Sequence, residues 1–82
     1  MISATRDLRE IIREEMYMKD VILKVLVVGP KTVPEIASAL GHPTYEVLIW
    51  VMGLRRYGHV SEIGDVTDEG YYRYRAAAGE GL

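Results

Sequence analysis

The sequence predicts a mainly α-helical domain closed by a small C-terminal β-hairpin, with three helices in its core and a further helix at the N-terminus. Three observations predict it. Two short helical segments between Lys31 and Gly58 are each stopped by a glycine, at Gly41 and Gly58. An almost wholly apolar helical segment precedes them and ends at Gly29-Pro30. After Gly58 the pattern changes from helical spacing to alternation, and aromatic residues become frequent.

The N-terminal segment has Leu8, Ile11, Ile12 and Met16 at helical spacing, with Arg6, Arg9, Glu10, Arg13 and Glu14 on the other side. Such a pattern is an amphipathic helix. Ser3 or Thr5 can cap it, with Asp7 in its electropositive first turn. Its apolar side either packs on the domain's own core or serves as a dimerisation arm.

From Met18 to Gly29 the chain is apolar at Val21, Ile22, Val25, Leu26 and Val28, edged by Lys19, Asp20 and Lys24. This segment is core, and Gly29-Pro30 end it because proline lacks the amide a helix needs. No proline or glycine marks where it parts from the N-terminal helix. A break near Tyr17 suits a compact fold better than one helix of more than twenty residues.

Thr32 is a good N-cap, and Val33 and Pro34 open the next helix where a missing amide costs nothing. That helix runs to Leu40, and Gly41 supplies the left-handed residue that stops it. His42, Pro43 and Thr44 begin a second helix with Val47, Val51 and Leu54 on one face. Beyond Gly58, His59 to Val66 alternates, with a bend at Gly64-Asp65 and a turn at Thr67 to Gly70. Tyr71 to Arg75 then favours a returning strand, since aromatics suit a pleated, half-buried surface. The rival is a fourth helix starting at Thr67, as in some multidrug-regulator-like proteins. The tail from Ala76 is expected to fray.

The stretch from Lys31 to Val60 resembles the helix-turn-helix of winged-helix proteins. Ile36, Ala37, Leu40, Gly41 and Val47 match its apolar, small, apolar, glycine and apolar positions. Leu54 to Val60 is similar to the end of the recognition helix and the entry into the first wing strand. The resemblance implies a winged helix-turn-helix: an N-terminal helical arm over residues 1–17, the domain proper over 18–76 and a tail over 77–82. It also implies a DNA-binding transcription regulator that acts as a dimer.

Composition narrows the function classes. The 82 residues suffice for one modest core, so an isolated monomer is only marginally stable and an oligomer contact helps it. Without cysteine there are no disulfides, thiolate metal sites or thiol catalysis, which is compatible with a reducing cytoplasm, the expected location. No apolar run is long enough to span a bilayer. Ten basic against twelve acidic residues give a net charge of -2, and proteins that live on phosphate backbones usually carry a basic surplus. His42 and His59 have no third ligand at a recognisable spacing, and His42 is expected to be partly buried or to cap. Ser3, Ser38 and Ser61 have no base nearby, and no glycine-rich phosphate loop is present. Neither enzyme activity nor a cofactor, metal or small-molecule site is expected.

Two functions remain. For double-stranded DNA, the candidates are Thr44 and Tyr45 at the start of the second motif helix, Arg55 and Arg56 at its end, and Arg73 and Arg75 on the returning strand, interleaved with Tyr71, Tyr72 and Tyr74. Against this, Glu62, Asp65, Asp68 and Glu69 make the hairpin tip acidic. The outward face of the second helix also falls to Tyr45, Leu48, Ile49, Met52 and Gly53, with Trp50 at its boundary. Leu, Ile and Met neither donate to nor accept from base edges. The alternative is a protein-interaction module, in which that apolar helix packs on a partner or symmetry mate. Its interface candidates are Tyr45, Leu48, Ile49, Trp50, Met52 and Gly53, with Leu8 and Ile12 from the N-terminal helix. If the outward face is rotated, the chain's own N-terminal helix covers Leu48, Ile49 and Met52 instead.

Overall fold

In the computed structural model, which describes residues 7–77, four helices and three short strands form one layer of helices against a small sheet. The elements are α1 (Leu8–Arg13), α2 (Glu15–Val27), β1 (Lys31–Thr32), α3 (Val33–Leu40), α4 (Thr44–Arg56), β2 (Val60–Ile63) and β3 (Arg73–Ala76).

Asp7 caps α1. Its carboxylate accepts the Arg9 amide at 3.1 Å, so Asp7 stands before the helix and not within its first turn. Ser3, Thr5 and Arg6, where an earlier start was expected, lie outside the described residues. The break between α1 and α2 falls at Glu14, three residues before Tyr17. Glu14 closes α1 through its amide and at the same time opens α2. Of the apolar residues on α1 and at the start of α2, Ile11 is buried, while Leu8, Ile12 and Met16 remain exposed. Farther along, α2 buries Met18, Ile22, Leu23 and Leu26, but Val28 has left the helix and is 84% exposed.

Thr32 and Glu35 form a reciprocal capping box at the start of α3. The Glu35 amide donates to Thr32 Oγ1 at 3.3 Å, and the Thr32 amide donates to Glu35 Oε1 at 2.8 Å. That last bond is the main reason the Glu35 carboxyl is held below its ordinary pKa, since it stabilises the charged form. At the other end, Gly41 adopts a φ of 72°, and the amides of Gly41 and His42 both return to the Ala37 carbonyl. The chain turns sharply there and α4 begins at once. Two bonds close α4: the His59 amide to the Leu54 carbonyl at 2.8 Å, and the Gly58 amide to that of Arg55 at 3.1 Å. This double return needs a left-handed residue, which Gly58 supplies at φ 80°.

The returning segment is a strand, as its aromatic residues predict, although it begins at Arg73 and not at Tyr71, and the rival helix at Thr67 is excluded. The sheet is antiparallel throughout in the order β1-β3-β2. Its third strand, β1, was not expected from sequence: two residues pair Lys31 with Tyr74 and Thr32 with Arg73. Thr32 therefore ends a strand and caps a helix, fixing the hairpin base to the start of α3. The hairpin is shorter than the alternation suggests, because Gly64 turns the chain at φ 68° after Ile63. Ala76 remains paired with Val60, and the Ala77 amide reaches the His59 carbonyl, so the pairing runs past the point where fraying was expected.

The core lies where α2, α3, α4 and the sheet meet: Ile22, Leu26, Ile36, Ala37, Val47, Val51, Leu54, Val60 and Tyr74 are all buried. Fully burying one such aliphatic side chain is worth about 1.5–3 kcal/mol.

Candidate nucleic-acid interface

The helix α4 has two unlike sides. Val47, Trp50, Val51 and Leu54 are buried at helical spacing, which settles the register of the motif. Thr44, Leu48, Arg55 and Arg56 are exposed, with Tyr45, Ile49 and Met52 half-buried between the two sides. The face that a DNA-reading helix presents is therefore Thr44, Tyr45, Leu48, Met52 and Arg55, of which only the first, second and last have polar side chains.

Two residues expected near that face are inside the fold. Trp50 is fully buried, and its indole N–H donates to the Ile11 carbonyl at 2.7 Å, fastening α1 onto α4. Gly53 is buried beneath the Glu15 carboxylate, whose Oε1 lies 2.7 Å from where a Cβ would stand. The close approach that this glycine permits is thus made by the chain's own α2. The N-terminal segment covers part of α4, as a rotated face would require, but it leaves Leu48 44% exposed.

Between α1, the start of α2 and the flank of α4 lies a cleft of about 560 Å³, walled by Ile12, Met16, Leu48, Ile49, Met52 and Tyr57. Glu15 and Arg56 line the same cleft.

Sequence reasoning missed a polar cluster at the turn of the motif. Glu46 is buried, its Oε1 3.3 Å from His42 Nδ1 and its Oε2 3.4 Å from the Tyr45 hydroxyl that donates to it. His42 is half-buried and stands edge-on to Trp50, ring centres 5.1 Å apart at 84°. The four-residue spacing puts Glu46 and Trp50 on one side of α4 with His42 just before the helix on the same side, and that spacing was the available signal. A carboxylate at a buried position is tolerated because it is hydrogen-bonded.

The arginines do not form one ridge. Arg55 donates through Nε to Glu62 Oε2 at 2.7 Å, a bond that ties the end of α4 to β2. The Glu62 carboxyl is held below its ordinary pKa, chiefly by its own backbone amide and then by Arg55. Arg56 faces the apolar cleft. Arg73 and Arg75 are exposed on alternate positions of β3, sharing the outer sheet face with Ser61 and Ile63, their register partners being Ile63 and Ser61. Tyr74, between them, points into the core, and burial raises its phenol pKa. Of the three tyrosines here it alone packs inside: Tyr71 and Tyr72 are each more than 40% exposed. The tip from Gly64 to Gly70 is held by a bond between the Gly70 amide and the Thr67 carbonyl and by the Thr67 amide on the Tyr71 carbonyl, both 2.8 Å. Its Asp65, Asp68 and Glu69 are exposed.

No family model matches the sequence, and no curated protein does. Among solved structures the chain is similar to a homodimeric winged helix-turn-helix DNA-binding domain from Mycobacterium bovis. That domain, fragment 1–100 determined by solution NMR, is described as coming from a possible ArsR-family transcriptional regulator. The similarity has a TM-score of 0.62 and covers 98% of this chain and 80% of that one, at 19% identity. The chain is a winged helix-turn-helix. In the winged-helix frame α3 and α4 are the helix-turn-helix, α4 takes the position of the recognition helix, and β2 and β3 are the wing. Among the described residues, no group of three histidines, aspartates or glutamates is placed to hold a metal ion, and no helix is long and apolar enough to cross a membrane.

Proposed function

We propose that this winged helix binds double-stranded DNA as a cytoplasmic transcription regulator and works as a dimer. The observation that carries the proposal is the two-sided α4: it buries one face in the motif while its start, at Thr44 and Leu48, stands exposed. The helix has no side-chain cap, so its first-turn amides suit a phosphate, and Thr44 adds a hydroxyl. Arg73 and Arg75, exposed together on the outer sheet face, supply wing contacts to the backbone. The fold shared with a DNA-binding domain supports the same reading. Base readout by such a face is sparse. Thr44, Tyr45 and Arg55 are its polar elements, with Arg55 already engaged by Glu62; Leu48 offers contact with thymine methyls, and discrimination among sequences is correspondingly weak.

Fluorescence anisotropy with labelled duplex DNA tests this. About three phosphate contacts per protomer predict affinity that falls roughly 40-fold between 50 and 200 mM salt. Arg73→Ala and Arg75→Ala each reduce the salt slope by about 1. Absence of binding at the lower salt refutes the proposal.

A second reading is favoured by a specific feature, the apolar cleft beside the recognition helix. There the chain is a protein-interaction module whose α4 packs on a partner or symmetry mate. Binding of that kind is insensitive to salt and is lost on Leu48→Asp or Ile49→Asp.

A further inference from the structure

Six large apolar side chains stay exposed on α1, the start of α2 and α4 or just beyond its end: Leu8, Ile12, Met16, Tyr17, Leu48 and Tyr57. Met16 is 83% exposed and Tyr17 73%, far beyond what scattered surface apolar residues need. Most of them surround the cleft between α1, the start of α2 and α4, which makes a contiguous patch of the kind that marks an interaction site.

The charges in the cleft say what fills it. Glu15 and Arg56 both line it, yet neither has an ion-pair or hydrogen-bonding side-chain partner among the described residues. A patch that contains one unpaired charge of each sign is self-complementary across a two-fold axis. A two-fold axis through it brings each Arg56 against the other copy's Glu15, as an isologous interface requires. A nucleic acid would meet the Glu15 carboxylate with the wrong sign, and a small apolar ligand would leave both charges unpaired. A standard interface takes about 800 Å² from each partner, roughly one seventh of the 5591 Å² surface here.

We infer that this cleft seats a second copy of the chain, with two reciprocal Glu15–Arg56 pairs, and that this dimer is a DNA-free form. The inference rests on the interaction reading of α4 given above. Its consequence for DNA is geometric. A dimer that reads successive major grooves holds its recognition helices about 34 Å apart with their outer faces open, whereas a copy seated in the cleft covers the flank of α4. Leu48 and Met52 are also shared between the two surfaces. Self-association through the cleft and DNA binding by α4 therefore exclude one another, and the dimer competent for DNA is a different one.

Sedimentation equilibrium on the full chain tests this with charge reversals. Glu15→Lys and Arg56→Glu each set like charges against one another in both halves of the homodimer, and each weakens self-association at least tenfold. Mixed in equal amounts, the two variants restore opposite charges at both pairs, and association returns to near the wild-type strength. Met16→Asp, at a position too exposed to affect folding, also dissociates the dimer and serves if Glu15→Lys fails to fold. The dissociated Met16→Asp chain, altered at none of the candidate DNA contacts, binds duplex DNA more tightly than wild type at concentrations where wild type is dimeric.

A wild-type chain that stays monomeric overturns the inference, whether or not it binds DNA. So does a mixture that associates no better than its components, or a Met16→Asp chain that dimerises like wild type. Equal DNA affinity for dimer and dissociated variant overturns the exclusion. Salt-dependent DNA binding is scored separately in the anisotropy experiment, so the DNA proposal and this one fail by different readouts.

Discussion

Replacing Trp50 with phenylalanine tests how the N-terminal helix is held. The indole is fully buried, and its N–H donates to the Ile11 carbonyl at 2.7 Å across 39 residues of sequence. Trp50→Phe removes that bond, worth a net of about 1 kcal/mol. The Ile11 carbonyl is not orphaned, because the Glu14 amide also donates to it at 3.1 Å, so no further desolvation penalty is added. The void left by the smaller ring adds roughly another 1 kcal/mol, at ~24 cal/mol per Å³ of cavity. The sum is about 2 kcal/mol, which for a domain of this size lowers the melting temperature by about 8–16 °C. Urea and thermal denaturation followed by far-UV circular dichroism measure it, with amide hydrogen exchange in α1 as the local readout. Exchange at the α1 amides speeds up more than exchange in α3. A loss under about 0.5 kcal/mol, or a loss spread evenly over all helices, refutes the idea that this bond fastens α1 to α4.

The two glycines at and after the end of α4 respond in opposite ways. Gly53→Ala gains about 1 kcal/mol of helix propensity, and the nearest atoms to its Cβ all belong to the carboxylate end of the flexible Glu15 side chain. The expected result in a urea melt lies between neutral and about 1 kcal/mol more stable. Gly58→Ala forces a Cβ into a φ of 80° and costs about 1–2 kcal/mol. Thr32→Ala breaks the capping box and costs about 1 kcal/mol in the same assay. The capping box also sets an acid limb: because the folded state lowers the Glu35 pKa, its contribution is present above the ordinary glutamate value and is lost as pH falls through the folded one. Glu35→Gln flattens that limb in melts recorded across the acid range.

Local signals told most of the fold. Thr32, Gly41 and Gly58 each perform the task their residue type implies, because caps and left-handed stops depend on only a few neighbouring residues. The apolar spacing of Val47, Val51 and Leu54 likewise defines the buried side of α4. What the sequence withheld depends on distant partners. Nothing local distinguishes Trp50 at the edge of a face from Trp50 bonded to a carbonyl on another helix. Gly53 invites an external helix until Glu15 is seen above it. A two-residue strand such as β1 has no periodicity to detect, and its existence follows from β3 lying beside it. Of the candidate DNA contacts, Arg73 and Arg75 share a face because strands alternate, whereas Arg55 is diverted to Glu62 across the α4–β2 corner. The N-terminal helix kept its two alternatives for the same reason: only tertiary packing reveals that Ile11 alone on α1 is buried while Leu8 and Ile12 are left outside.

The buried indole also decides which probe is useful. Trp50 emission is that of a dry site in the free chain whatever covers the outer side of α4, so it does not report on DNA. The most direct measurement is an NMR titration of the isotopically labelled chain with a short duplex at low salt. The DNA-binding account predicts amide shifts concentrated at Thr44, Tyr45 and Leu48 on the recognition helix and at Arg73 and Arg75 on the wing, fading as salt is raised. Shifts confined to Leu8, Ile12 and Met16, or no shifts at all, contradict it.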